Sequence, residues 1–213
     1  MKLYRHYFWD FDGTLFDSYP HSLAALCATA DHFGIPADRA ELNRLLRLRF
    51  ALAFERLGLN DEQLAYFSRL RGDDALPPPV VPFPHARATL EALLAAGARH
   101  YLYTHSNRRM SVRFIERFGM ADLFADFMTA DAPDFALKPA PDAILALMAR
   151  HAIPPDGAVM IGDRELDMRC ARSAGVDGIL VDPDGLVADT CAVARVGDLI
   201  ELTRISGDHC DLL

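Results

Sequence analysis

Two aspartates follow a short apolar run near the start of the sequence and could bind a cation or carry a proton. Asp10 and Asp12 come directly after His6-Tyr7-Phe8-Trp9, and Gly13 follows them. Aromatic, β-prone residues that end in an acidic turn with glycine indicate a buried strand with carboxylates at its carboxyl end. Two carboxylates this close cannot both ionise at equal cost, so the pair favours one anion beside one acid that exchanges a proton.

Two further strand-like segments end in polar residues of the same kind. Thr104 follows the apolar segment 98–103, and Asp163 follows the apolar segment 158–161. Asp167 lies one helical turn beyond Asp163, so both carboxylates face the same way on a helix. Each residue also has a plainer interpretation, because an aspartate or threonine after a strand commonly caps a helix or closes a turn.

Lysine is rare in this sequence, which makes its positions informative. Only Lys2 and Lys138 occur, and arginine supplies the other positive charges. A compact ammonium group acts as a point charge, whereas a guanidinium is a planar fork. Lys138 is therefore a candidate for binding an anion, and the alternative is a solvated charge in a loop.

The elements that position these residues form two patterns along the chain. Residues 19–72 show helical periodicity, and the proline-rich segment 77–84 after them predicts a stiff connector at a module boundary. From residue 86 onward, helical segments alternate with short apolar strands, which predicts a parallel sheet with helices on both faces. The predicted strands are 6–9, 98–103, a short one near 127–128, 158–161 and 178–181, and the predicted helices are 20–33, 39–48, 51–57, 61–70, 86–96, 110–118, 142–151, 165–174 and 198–204. We therefore predict an α/β fold with a Rossmann-like sheet, whose ligands lie beyond the carboxyl ends of the strands.

Composition excludes several classes of partner. The 213 residues contain 22 Lys and Arg against 30 Asp and Glu, which gives a net charge of −8. Such a chain repels nucleic acids and anionic membranes, and it has no apolar run long enough to span a bilayer. We expect a cytoplasmic protein with reduced cysteines, since Cys27, Cys170, Cys191 and Cys210 show no metal-site spacing.

Together, four segments of the sequence resemble the motifs of the haloacid dehalogenase-like hydrolase superfamily. They are Asp10-Phe11-Asp12-Gly13-Thr14-Leu15-Phe16-Asp17, Thr104, Lys138-Pro139 and Gly162-Asp163-Arg164-Glu165-Leu166-Asp167, in family order and at similar spacing. The chain is most similar to the branch with a helical cap, which includes phosphoglycolate phosphatases and β-phosphoglucomutases. The resemblance implies a catalytic core of residues 1–17 and 83–213, with a cap domain of residues 18–82.

The resemblance also implies a role for each motif residue. Asp10 would be the nucleophile that forms an aspartyl-phosphate, and Asp12 would be the general acid and base. Mg²⁺ would be bound by the Asp10 side chain, the Asp12 carbonyl and Asp163, with Asp167 acting behind them or through water.

The same resemblance assigns residues to the substrate phosphate. Thr104 would donate its hydroxyl, Lys138 would bridge the nucleophile and the phosphate, and Ser106 and Asn107 would assist. His105 either lines the pocket or fills space at the end of its strand.

The function implied is that of a magnesium-dependent phosphatase acting on a small phosphorylated metabolite, such as a phosphoglycolate-like compound or a sugar phosphate. One alternative is a phosphomutase of the β-phosphoglucomutase type, although that family usually has Glu-Asp where this chain has Gly162-Asp163. Another is a non-catalytic phospho-acceptor or binding relative. Either a monomer or a homodimer is compatible with the sequence, and the natural substrate is left open.

Overall fold

The computed structural model describes residues 4–73, 75–132, 135–188 and 191–207. Its strands are β1 (His6–Trp9), β2 (Phe16–Asp17), β3 (Val81–Pro82), β4 (Arg99–Tyr103), β5 (Phe124–Met128), β6 (Ala158–Gly162), β7 (Asp177–Val181) and β8 (Ala194–Val196). Its helices are α1 (Tyr19–His32), α2 (Arg39–Leu48), α3 (Phe50–Leu57), α4 (Asp61–Arg71), α5 (Ala86–Ala95), α6 (Arg108–Arg117), α7 (Asp142–His151), α8 (Glu165–Ala174) and α9 (Glu201–Gly207). A short 3₁₀ helix spans Ala121–Leu123. The chain divides into two compact units, Asp17–Val81 and the remainder.

The larger unit contains a parallel sheet of six strands in the order β5-β4-β1-β6-β7-β8. Strand β1 lies between β4 and β6, with Trp9 beside Leu102 on one side and Ile161 on the other. Tyr7, Phe8 and Trp9 are almost completely buried, because a central parallel strand is covered on both faces. The sheet is flanked by helices, so the predicted α/β fold is confirmed.

The register of the sheet brings three strand ends to one edge. Since the carboxyl-terminal residues of β1, β4 and β6 are paired neighbours, the residues that follow them emerge side by side. These residues belong to the segments that begin at Asp10, Thr104 and Asp163. The topology therefore gathers the motif residues at one end of the sheet.

The smaller unit contains α1 to α4. These helices pack around a core that contains Leu26, Leu42, Leu46 and Phe67. Helix α4 begins with a capping box, in which Asn60 and Gln63 satisfy each other's backbone N–H groups.

Some elements differ from the sequence prediction. The predicted connector 77–84 contains β3, which pairs with β2 in a separate two-stranded sheet. Strand β8 was not predicted, because three residues with one buried side chain show no periodicity. Helix α9 begins at Glu201 rather than at residue 198, since Asp198 accepts a hydrogen bond from the Ile200 backbone as part of the turn before the helix.

The described residues include three of the four cysteines and no disulfide among them. Cys27, Cys170 and Cys191 are free thiols, and Cys210 lies outside the described residues. Among the helices of the described ranges, none combines the length and apolarity that crossing a bilayer requires.

Candidate active site

Asp10 lies just beyond the end of β1 between two cationic side chains. Its backbone N–H donates to the Ile161 carbonyl at 2.9 Å, which continues the pairing of β1 with β6. Its Oδ1 is 2.8 Å from Lys138 Nζ, and its Oδ2 is 3.1 Å from Arg164 Nη2. Burial alone would raise the pKa of Asp10, but the charges of Lys138 and Arg164 outweigh it and lower that pKa below its ordinary value. Asp10 is therefore an anion at neutral pH.

Lys138 bridges two carboxylates inside the protein. Its Nζ is 2.8 Å from Asp10 Oδ1 and 2.8 Å from Asp167 Oδ1, and its side chain is fully buried. The ammonium also lies 4.8 Å from the centre of the Tyr103 ring, close enough for a cation–π contact. Burial disfavours the charged form, yet the two carboxylates outweigh burial and raise the pKa of Lys138. The alternative of a solvated loop charge is thus wrong.

Asp12 occupies the turn that follows β1, and a serine from another strand end holds it. Gly13 has φ of 77° and its N–H donates to the Phe16 carbonyl at 2.9 Å, a backbone conformation that favours glycine. The Ser106 hydroxyl donates to Asp12 Oδ2 at 2.6 Å, and both residues are buried. This bond fixes the direction of the Asp12 carboxyl group.

Thr104 and Asn107 belong to the turn between β4 and α6. Thr104 is fully buried, and its hydroxyl oxygen accepts a hydrogen bond from the Ser106 N–H at 3.0 Å. Asn107 is exposed and caps α6, since its side-chain oxygen accepts from the Met110 N–H at 2.9 Å. The structure thus places Thr104 and Ser106 in the site. The side-chain oxygen of Asn107 is used for capping the helix, which leaves its amide nitrogen for other contacts.

Three of the aspartates at the site lie close enough together to share a metal ion. Asp10, Asp163 and Asp167 each bring one carboxylate oxygen within 4.8 Å of the others. Asp167 Oδ1 accepts from Lys138 and its Oδ2 accepts from the Arg164 N–H at 3.1 Å. Burial and the neighbouring Asp10 anion raise the pKa of Asp167, and Lys138 opposes them.

Gly162 makes room for Asp167. A Cβ atom at residue 162 would lie 2.4 Å from the Asp167 Cβ and Cγ atoms and 2.6 Å from its Oδ2, far inside van der Waals contact. The Asp167 carboxyl group therefore fills the space that a side chain at position 162 would need.

Arg164 is the residue whose role sequence analysis missed. It is 5% exposed, and its guanidinium contacts Asp10 and lies 3.6 Å from Asp163 through Nε. The only signal in the sequence was an arginine placed between two aspartates of one motif. Because a long side chain can point in many directions, that signal does not give the contact with Asp10.

His105 directly follows Thr104 and lies close to the charged residues of the site. Its Nε2 is buried without a hydrogen-bond partner in the described part of the chain. Burial first, and then the Lys138 charge, lower its pKa to about 3. His105 is therefore a neutral imidazole at physiological pH.

Comparison with known proteins agrees with this arrangement. Residues 7–181 match the family described as haloacid dehalogenase-like hydrolase. The chain is 31% identical to a phosphoglycolate phosphatase of Rhodospirillum rubrum, over 94% of this chain and 92% of that protein. It is 29% identical to phosphoglycolate phosphatase 1 of Pseudomonas aeruginosa, over 82% of this chain and 68% of that protein. A crystal structure from Lactobacillus plantarum, described as a phosphoglycolate phosphatase by inference, shares the fold with a TM-score of 0.82 and 21% identity, over 95% of this chain and 99% of that one.

Proposed function

This chain belongs to the haloacid dehalogenase-like hydrolase family, in its phosphoglycolate-phosphatase-like branch, and we propose that it hydrolyses a small phosphorylated metabolite through an aspartyl-phosphate at Asp10. It is thus a phosphatase, and the substrate class that we propose is a phosphoglycolate-like compound or a sugar phosphate. The observation that carries the proposal is the buried Asp10 carboxylate, held as an anion between Lys138 and Arg164. A nucleophile must be ionised before it attacks phosphorus.

The acidic cluster suits Mg²⁺, which prefers hard oxygen ligands. We propose that Asp10, Asp163 and the backbone carbonyl of Asp12 hold the ion. Both oxygens of Asp167 already accept hydrogen bonds, which supports a role for Asp167 in orienting the site. A bound Mg²⁺ would neutralise charge on the phosphate and reduce its repulsion of the nucleophile.

In the first proposed step, an oxygen of Asp10 forms a bond to phosphorus while the bond from phosphorus to the ester oxygen breaks. Asp12 gives its proton to that departing oxygen. In the second step, Asp12 takes a proton from water, the water oxygen bonds to phosphorus, and the Asp10 oxygen leaves. The hydrogen bond from Ser106 aims the Asp12 carboxyl for both transfers.

Other residues of the site bind the phosphate group. We propose that the Thr104 hydroxyl donates to one phosphate oxygen and that the Asn107 amide nitrogen binds another. Lys138 stabilises the charge that develops as the phosphate moves onto Asp10. We also propose that residues 18–82 are the cap domain and residues 1–17 and 83–213 the catalytic core, and that the protein acts in the cytoplasm.

A panel of phosphorylated metabolites, assayed with Mg²⁺ and compared with an Asp10→Asn variant, tests the function. We expect turnover of at least one compound by the native enzyme and none above background by Asp10→Asn, because an amide is not a nucleophile. Asp184→Asn is the matched control, since Asp184 is an exposed acid in the turn after β7 and the charge change is the same. Full activity of Asp10→Asn would contradict the proposal, and a single phosphorylation per chain without turnover would indicate a phospho-acceptor.

The mutase alternative is less well supported. A glutamate at position 162 would occupy space that the Asp167 carboxyl fills. In this chain a carboxyl group from α8, that of Asp167, fills that space instead.

A further inference from the structure

Arg164 places a fixed positive charge on the carboxylate that is proposed to be both nucleophile and metal ligand. Its side chain is 6% exposed, Nη2 is 3.1 Å from Asp10 Oδ2, and Nε is 3.6 Å from Asp163 Oδ1. Guanidinium groups keep their charge at all physiological pH values. The cation therefore contacts Asp10 and lies close to Asp163 whenever the side chain has this conformation.

The formal charges of the acidic cluster show how Arg164 affects the binding of a divalent ion. Counted as formal charges, the carboxylates of Asp10, Asp163 and Asp167 contribute −3 and the cations Lys138 and Arg164 contribute +2, so their formal sum is about −1. With the guanidinium removed from the carboxylates, the formal sum becomes more negative by one charge, to about −2, which favours a divalent ion. A guanidinium and a divalent cation on one carboxylate also repel each other at short range.

We propose that Arg164 competes with the divalent cation for Asp10 and Asp163, so that metal binding requires the guanidinium to leave Asp10. This inference rests on the proposed function, because it takes the acidic cluster to be the metal site. Lys138 differs from Arg164, since it pairs with the other oxygen of Asp10 and with Asp167. Arg164 thus lowers the affinity of the site for metal and keeps the metal-free nucleophile neutralised.

Binding of Mn²⁺ without substrate tests the competition. Mn²⁺ accepts the same oxygen ligands, and the free ion can be counted by electron paramagnetic resonance during a titration. In Arg164→Met, removal of one charge from the ligands is expected to tighten Mn²⁺ binding about tenfold or more. The matched control is Arg169→Met, which removes the same charge from an exposed arginine of α8 that pairs with Glu165 and is expected to leave the affinity within about twofold.

The outcomes separate this inference from the proposed function. Equal Mn²⁺ affinity in the native protein and in Arg164→Met, or weaker affinity in the variant, would overturn the competition while leaving the metal site intact. Absence of Mn²⁺ binding to both proteins would overturn the metal site, and the inference with it. Weaker binding of inorganic phosphate with unchanged Mn²⁺ affinity would instead assign Arg164 to the substrate and would also overturn the competition.

A second measurement uses the native protein, so its result does not depend on whether a variant folds. In the native protein, the assigned Nε–H nuclear magnetic resonance signal of Arg164 should shift as Mg²⁺ is added, because the guanidinium loses its carboxylate partners. The signal of Arg169 should stay in place. If Mg²⁺ saturates the protein while the Arg164 signal does not move, the guanidinium does not leave and the inference is wrong.

Discussion

The protonation state of Asp10 is set by the charged side chains beside it and not by the intrinsic pKa of a carboxyl group. A carboxyl group with no solvent exposure would ordinarily prefer its neutral form. Lys138 on one oxygen and Arg164 on the other reverse that preference. Replacing one residue at this site should therefore change the rate of catalysis strongly. Two replacements, at Gly162 and at Ser106, test this without altering Asp10.

Replacement of Gly162 by alanine should displace Asp167. The added Cβ would lie 2.4 Å from Asp167 carbon atoms, so the carboxylate must move away from Lys138. A displacement of about 1 Å in a catalytic site can cost about 100-fold in rate, and we expect a loss of that order in kcat. Gly197→Ala is the control, since a Cβ there meets its nearest atom at 3.6 Å. Native kcat in Gly162→Ala would show that Asp167 has no part in catalysis.

Replacement of Ser106 by alanine should release the Asp12 carboxyl group. The lost bond is the 2.6 Å contact from the Ser106 hydroxyl to Asp12 Oδ2. We expect kcat to fall about tenfold, the equivalent of one hydrogen bond, with little change in KM. Steady-state kinetics of Ser106→Ala and of the control Ser111→Ala make the comparison, because the Ser111 hydroxyl donates to the backbone carbonyl of the α6 cap residue, Asn107. A rise in KM with unchanged kcat would instead assign Ser106 to substrate binding.

At the scale of elements, a buried histidine links β1, β4 and α5. The Trp9 Nε1–H donates to His100 Nδ1 at 3.0 Å, and His100 Nε2 is 2.9 Å from the Leu90 carbonyl. Because Nδ1 accepts, Nε2 carries the hydrogen and the ring is neutral. Burial lowers the pKa of His100 to about 4.

This histidine should make stability depend on pH. The unfolded chain accepts a proton near the ordinary histidine pKa of 6.5, whereas the folded protein resists it. The contribution of His100 is therefore complete above pH 6.5 and should be lost as pH falls towards 4, by roughly 3 kcal/mol. Urea unfolding at several pH values, followed by the fluorescence of Trp9, measures this loss. His100→Gln should show a shallower decline, and an identical decline in both proteins would contradict the assignment.

The first turn of α6 offers a test that separates capping from phosphate binding. Asn107 caps the helix through its side-chain oxygen, while its amide nitrogen is proposed to bind phosphate. Asn107→Ala should lower the free energy of unfolding by about 1 kcal/mol and should also raise KM. Asn107→Asp keeps the capping oxygen, so it should keep the stability and raise KM only. An unchanged KM in Asn107→Asp would limit Asn107 to the cap.

At the scale of the whole molecule, the order of the strands brings together residues that are far apart in the sequence. Strands β4, β1 and β6 are neighbours, so residues 10, 104 and 163 lie at one edge of the sheet. The alternation of strands and helices was predictable because apolar periodicity reports burial. The resemblance also predicted that Lys138 lies beside Asp10, whereas the contact of Lys138 with Asp167 was not predicted.

Other features could not be predicted, for physical reasons that particular residues illustrate. The direction of the Arg164 side chain depends on carboxylates from other segments, and the exclusion of a side chain at Gly162 depends on Asp167 folding back against it. Strand β8 is fixed by pairing with β7 and not by its own sequence pattern. The capping hydrogen bond of Asn107 could not be predicted either, because the same side chain could have pointed towards the phosphate instead of the helix.

The most direct test of the proposed chemistry is a crystal structure of the native enzyme with Mg²⁺ and beryllium fluoride, which mimics a phosphate bound to a carboxylate. We predict that the beryllium atom is bonded to a carboxylate oxygen of Asp10 and that Asp10→Asn, treated in the same way, contains none. Beryllium fluoride bonded to a different residue in an enzyme that remains active would contradict the central claim.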